Sequence, residues 1–168
     1  MGEMSVSILN QRSGKPALVT CNQMVMMGLT VTSNYEEARN GVPTMAIETP
    51  GYASKHAALT ALSSRYVQVD ELPWQATRFP GIEIKVLMED ATTGLQTVLT
   101  RMAPGTTLTD HEHVELEQSW VLEGRLVDHE GEVKAGNYVW RPAGSRHSAS
   151  APEGALVLGF FLKPNRFF

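Results

Sequence analysis

The sequence predicts an all-β barrel or sandwich. Three observations carry this: period-2 alternation in its second half, turn signals at close spacing, and little helical periodicity. Ile82, Ile84, Val86 and Met88 alternate with Glu83 and Lys85, the pattern of a strand with one wet face. Ala91-Thr92-Thr93-Gly94 reads as a turn, and Leu95 to Met102 returns as the partner strand. Pro104-Gly105 stops it. A long strand is expected from about His111 to Leu122, ending at Gly124. Asp128-His129-Glu130-Gly131, Lys134-Ala135-Gly136-Asn137 and Pro142-Ala143-Gly144 mark three further turns, with short strands between them. The last strand is the apolar run Ala155 to Leu162.

Residues 1–60 read differently. They hold four acids (Glu3, Glu36, Glu37, Glu48) and four bases (Arg12, Lys15, Arg39, Lys55), show no sustained period, and are broken by Gly41-Val42-Pro43 and Pro50-Gly51. The expected organisation is a partly ordered N-terminal arm over 1–60 and a barrel over 61–168. A short helix is expected around Ser54 to Ser63, where Lys55 to Leu62 suits helical propensity.

Composition narrows the function. At 168 residues, 42% hydrophobic and 19% charged, the chain has the make-up of a domain with a buried core. Its net charge of −4 lacks the basic footprint of a nucleic-acid binder. The single Cys21 excludes a disulfide framework within the chain and any zinc site needing several thiolates. Met24 to Leu29 is too short to span a bilayer and has no basic segment immediately before it, so the expectation is a cytoplasmic protein without membrane attachment.

The chemistry concentrates in Asp110-His111-Glu112-His113-Val114-Glu115-Leu116-Glu117. On one strand His111, His113 and Glu117 share a face, with Glu115 a competing carboxylate of the same parity. Two imidazoles and a carboxylate suit Fe(II), Mn(II), Ni(II) or Zn(II). His147 follows the Pro142 turn, which can swing a later strand back beside the first. Arg101, Arg141 and Arg146 read as surface or strand-edge arginines, and Trp120, of opposite parity, points outward.

The spacing of these residues resembles the cupin superfamily. Gly105, five residues, His111-x-His113, three residues, Glu117, six residues and Gly124 match its first motif. Gly136, five residues, Pro142-x-Gly144, two residues and His147 match its second. The second motif ordinarily closes with Asn where this chain has Ala151, a structural departure. The resemblance implies a double-stranded β-helix, or jelly-roll barrel, with His111, His113, Glu117 and His147 as ligands of one divalent metal ion: Fe, Zn, Mn or Ni. The segment Glu117 to Gly124 and the ending Gly159-Phe160-Phe161-Leu162 further resemble ChrR-type cupins. That subgroup includes the cupin half of a zinc-containing anti-sigma factor and acetylacetone-dioxygenase-like proteins. The helical zinc domain of the anti-sigma members is not expected, since the first 60 residues offer only Cys21 and His56.

The resemblance therefore implies a metal-binding cupin acting on a small organic substrate, with an Fe(II) dioxygenase cleaving a β-diketone-like compound as the sharpest form. The alternative is a non-catalytic metal-bound sensor or ligand-binding module related to the anti-sigma cupins. No catalytic group beyond the metal ligands stands out. Val114, Leu116, Trp120 and Leu122 form an apolar stripe opposite the ligands, from which a homodimer is expected.

Overall fold

The computed structural model describes residues 47–168 and two short strands that precede them. The chain divides into two units, Met1–Pro43 and Thr44–Phe168. In the first, β1 (Val6–Ile8) pairs antiparallel with β2 (Ala17–Val19), Val6 opposite Val19. The remainder of the expected arm, as far as position 46, lies outside the described residues.

The second unit is a curled antiparallel sheet. Its elements are β3 (Ile47–Glu48), α1 (Ala53–His56), β4 (Gln75–Ala76), β5 (Ile82–Asp90), β6 (Gln96–Met102) and β7 (Thr106–Glu112), then β8 (Glu117–Val127) and β9 (Glu132–Lys134). β10 (Tyr138–Arg141), β11 (Arg146–Ala151), β12 (Ala155–Phe161) and β13 (Arg166–Phe167) complete it. The helix is shorter than the sequence predicts. Leu59 and Leu62 are exposed, so no apolar face is buried that would hold further turns together.

β8 joins two walls. Its first half lies between β10 and β12, and β12 continues to β6, β5 and β3. Its last residues pair with β9 and, through Val127 opposite Ser150, with β11, which leads to β7 and β13. A bulge makes the turn between walls possible. The register against β12 slips between Val157 and Leu156, opposite the Val121 to Gly124 stretch, where Gly124 takes φ +68°. Before the bulge the inward residues are Glu117, Ser119 and Val121; after it, inward Leu126 has changed parity.

The single long strand expected from His111 to Leu122 is two strands. β7 ends at Glu112, and the chain bends before β8 starts at Glu117. The bend is held by the Pro142 turn: His113 N donates to the Ser145 carbonyl (2.9 Å) and Gly144 N donates to the His113 carbonyl (2.7 Å). The face of β5 carrying Lys85 is also drier than alternation implies. The Lys85 ammonium is buried, donating to the Val69 carbonyl at 2.8 Å beneath Trp74.

The apolar core is Ile82, Met102, Val121, Leu126, Ala151, Ala155 and Val157, with Leu108 and Phe79 packed against it. Ala151, at the motif's Asn position, is fully buried in this cluster. On the other face of β8 and its neighbours, Trp120, Leu122, Tyr138, Trp140 and Phe160 are exposed. Trp120 points outward, as its parity predicts. Among the described residues no helix is long and apolar enough to cross a membrane.

A Cβ at Gly124 would meet the Gly154 carbonyl, part of the backbone, on a residue already in left-handed φ. Gly124→Ala is expected to cost about 2–4 kcal/mol, read as a lowered midpoint in urea with an unchanged slope.

Candidate metal centre

Two strand ends and a bend place the histidines. His111 and His147 are direct partners across the β7–β11 pair, so their side chains leave the same face of the sheet. Their rings lie 4.7 Å apart between centroids. His113, at the bend held by residues 144 and 145, turns toward both, at 5.0 Å from His111 and 5.1 Å from His147. All three are buried, His113 completely. One ligand atom from each can be chosen so that all lie within 4.8 Å of one another.

The partners of the ring nitrogens give the centre its polarity. His111 Nδ1 lies 2.8 Å from the Thr109 carbonyl, which only accepts, so Nδ1 carries the proton and Nε2 the lone pair. His147 Nδ1 lies 2.9 Å from Asp128 Oδ2, with the same consequence. His113 differs. Neither of its buried nitrogens has a hydrogen-bond partner among the described residues. Glu117 Oε2 is 3.0 Å from its Nδ1, but the contact is too bent for a hydrogen bond.

The sequence-predicted carboxylate, Glu117, is therefore at the cluster and buried. Its Oε2 also accepts from Asn165 Nδ2 (2.7 Å) and its Oε1 from Ser119 Oγ (3.1 Å). Burial pushes its carboxyl up, but His113, Asn165 and the nearby Arg141 outweigh burial and hold it below the usual carboxylate range. The mutually close set comprises the three imidazoles without Glu117. Glu115, the competing carboxylate, is 45% exposed and faces Lys163.

Arg141 is not a surface arginine. It is buried and donates from Nη2 to Asp128 Oδ2 at 2.9 Å. Sequence reasoning missed Asp128, whose side chain is 8% exposed; it stands in an Asp-His-Glu-Gly turn and reads as a turn residue. Asn165 left no signal, being 48 positions from Glu117. Trp140 is exposed, and Met102 belongs to the apolar core.

These residues fit a metal ion. A fully buried imidazole with both nitrogens unpaired is costly unless a cation or proton meets it. Its neighbours present two further lone pairs and an ionised carboxylate, the hard and borderline donors that divalent first-row metals take. Burial, with Arg141 adding repulsion, pushes the His147 imidazole down to about 4, and burial also pushes His111 down. Both are neutral near pH 7, the form that binds metals.

The same shifts make metal-free protein acid-sensitive. A folded-state value below the unfolded 6.5 means that the unfolded chain binds more protons between the two. This contribution to stability is present above pH 6.5 and is lost as pH falls toward about 4. Thermal unfolding of chelator-treated protein is expected to show a falling midpoint across that window. A flat profile would contradict the assignment of neutral, buried imidazoles.

Comparison with known proteins agrees with this architecture. A candidate acetylacetone dioxygenase from Methylibium petroleiphilum PM1 superposes with a TM-score of 0.59 at 24% identity, over 64% of this chain and 82% of its own. An acetylacetone dioxygenase from Acinetobacter johnsonii gives 0.57 at 19% identity, over 63% and 78%. A protein with a cupin-like fold from Ralstonia eutropha JMP134 gives 0.53 at 25% identity, over 61% and 75%. No curated protein sequence matches the chain. The sequence model of the ChrR Cupin-like domain matches residues 62–164, covering β4 to β12 and every residue of the histidine cluster. The chain belongs to the ChrR cupin-like family.

Proposed function

We propose that the chain is a metal-dependent enzyme that acts on a small organic substrate, with Fe(II) as the metal and β-diketone-like compounds as the substrate class. The observation that carries the metal is the buried cluster of His111, His113 and His147, in which His113 makes no hydrogen bond among the described residues and lies beside Glu117. His111, His113 and His147 would hold the ion, with Glu117 as the fourth ligand that the motif implies. A bound divalent metal supplies Lewis acidity and open positions for a chelating molecule or for oxygen.

The chain's own residues set the charge there. Imidazoles that ligate a metal contribute no charge, Glu117 contributes one negative charge, and Asp128 and Arg141 cancel. A divalent ion would leave about one net positive charge. That balance suits a chelating monoanion, such as the enolate of a 1,3-dicarbonyl, which would neutralise the site. Likeness to the acetylacetone dioxygenases supports the fold, and the substrate class rests on this charge argument together with the family.

Metal content settles the first step. Protein purified without added metal is expected to carry close to one equivalent by elemental mass spectrometry, and His113→Ala to lose affinity by more than about 100-fold. After Fe(II) loading, O₂ uptake with a panel of β-diketones is expected, and it should vanish in His147→Ala and Glu117→Ala. Tight ligand binding without O₂ uptake would favour the second reading, a ligand-binding module related to the anti-sigma cupins. Absence of metal even after reconstitution would end both.

A further inference from the structure

Asp128 sits where three elements meet: at the end of β8, against Arg141 at the end of β10 and His147 near the start of β11. Its carboxylate is fully committed. Oδ2 accepts from both His147 Nδ1 and Arg141 Nη2 at 2.9 Å. Oδ1 accepts from the backbone N–H of Glu130 (2.9 Å) and of Gly131 (3.0 Å). The two turn bonds fix the rotation of the carboxylate, so Oδ2 cannot swing away from the imidazole. Arg141 supplies the counter-charge that a buried carboxylate needs. The other two histidines differ: His111 is held by a backbone carbonyl, and His113 Nδ1 lies 3.0 Å from Glu117 Oε2 without forming a hydrogen bond.

We propose that Asp128, oriented by Arg141 and the 128–131 turn, is a positioning residue that locks His147 as the Nδ1–H tautomer and so dedicates its Nε2 to the metal. This rests on the metal reading above. The physical basis is general. A carboxylate accepting from the distal N–H of a ligating imidazole fixes ring and tautomer, and raises the basicity of the ligating nitrogen. An amide in its place can present N–H to Nδ1, which favours the opposite tautomer and puts a proton on the nitrogen needed for coordination.

The test uses the full chain and Zn(II) as probe. Asp128→Asn is expected to weaken zinc binding 10- to 100-fold, on the scale such outer partners carry, measured by competition with a chromophoric chelator. Asp128→Asn/Arg141→Met, which also removes the stranded buried cation, is the second variant and should show the same loss. Independently, ¹⁵N-resolved imidazole NMR of the metal-free wild type should place the proton of His147 on Nδ1, and in Asp128→Asn on Nε2. A variant with lowered thermal stability but wild-type zinc affinity would assign Asp128 a merely structural role and overturn the proposal. An Nε2–H tautomer in the wild type would do the same. Failure of the metal reading is distinct: the wild type itself would take up no zinc, whatever the tautomer of His147.

Discussion

A buried imidazole has two nitrogens to satisfy, and the sheet of this protein buries three imidazoles side by side. Two of them spend Nδ1 on an oxygen behind the cluster, the Thr109 carbonyl and the Asp128 carboxylate. What remains faces inward and has nothing of its own kind to bond, because a lone pair cannot pair with a lone pair. His113, with no hydrogen bond on either nitrogen among the described residues, makes the deficit largest. The arrangement calls for a positive charge at its centre, and the surrounding groups are organised around that demand.

The surrounding charges follow the same logic. Glu117 and Asp128 are both buried carboxylates, and each would be expensive to keep ionised alone. Glu117 is hydrogen-bonded by Ser119 and Asn165, and Asp128 by two backbone N–H groups, His147 and Arg141. Burial alone would push Asp128 up. Its hydrogen bonds from Arg141, the turn and His147 outweigh that and hold it far below the ordinary carboxylate range. One cation against two carboxylates leaves a negative site beside the imidazoles, so the polar interior is complementary to a divalent cation.

The fold delivers this by bending one strand. β8 brings Glu117 and Ser119 into the polar end and Leu126 into the apolar end, and the bulge at Leu122, between Val121 and Glu123, lets inward residues change parity between them. β7 and β11 then put His111 opposite His147 by register, while the Pro142 turn grips the backbone of His113. The apolar cluster around Val121 and Ala151 fills the rest of the interior.

Much of this was legible in the sequence. Alternation and turn residues specify strands because side-chain direction in a strand is local, and the motif glycines Gly124 and Gly144 fall where φ is positive. Spacing also put His111, His113, Glu117 and His147 forward; the three histidines cluster, and Glu117 lies beside His113. Parity carried that inference only partly: the chain bends between His113 and Glu117, so their convergence comes from two strands and a turn contact. The residues that tune the centre were not legible. Asp128 looks like a turn residue because it is one, its Oδ1 capping the turn while Oδ2 serves His147. Arg141 and Asn165 reach their partners across strands distant in sequence, and no local periodicity encodes such a meeting. Sequence by itself determined which donor types are present and which way their strands face. The tertiary structure decided which nitrogens keep their lone pairs, since that depends on acceptors the fold brings from elsewhere.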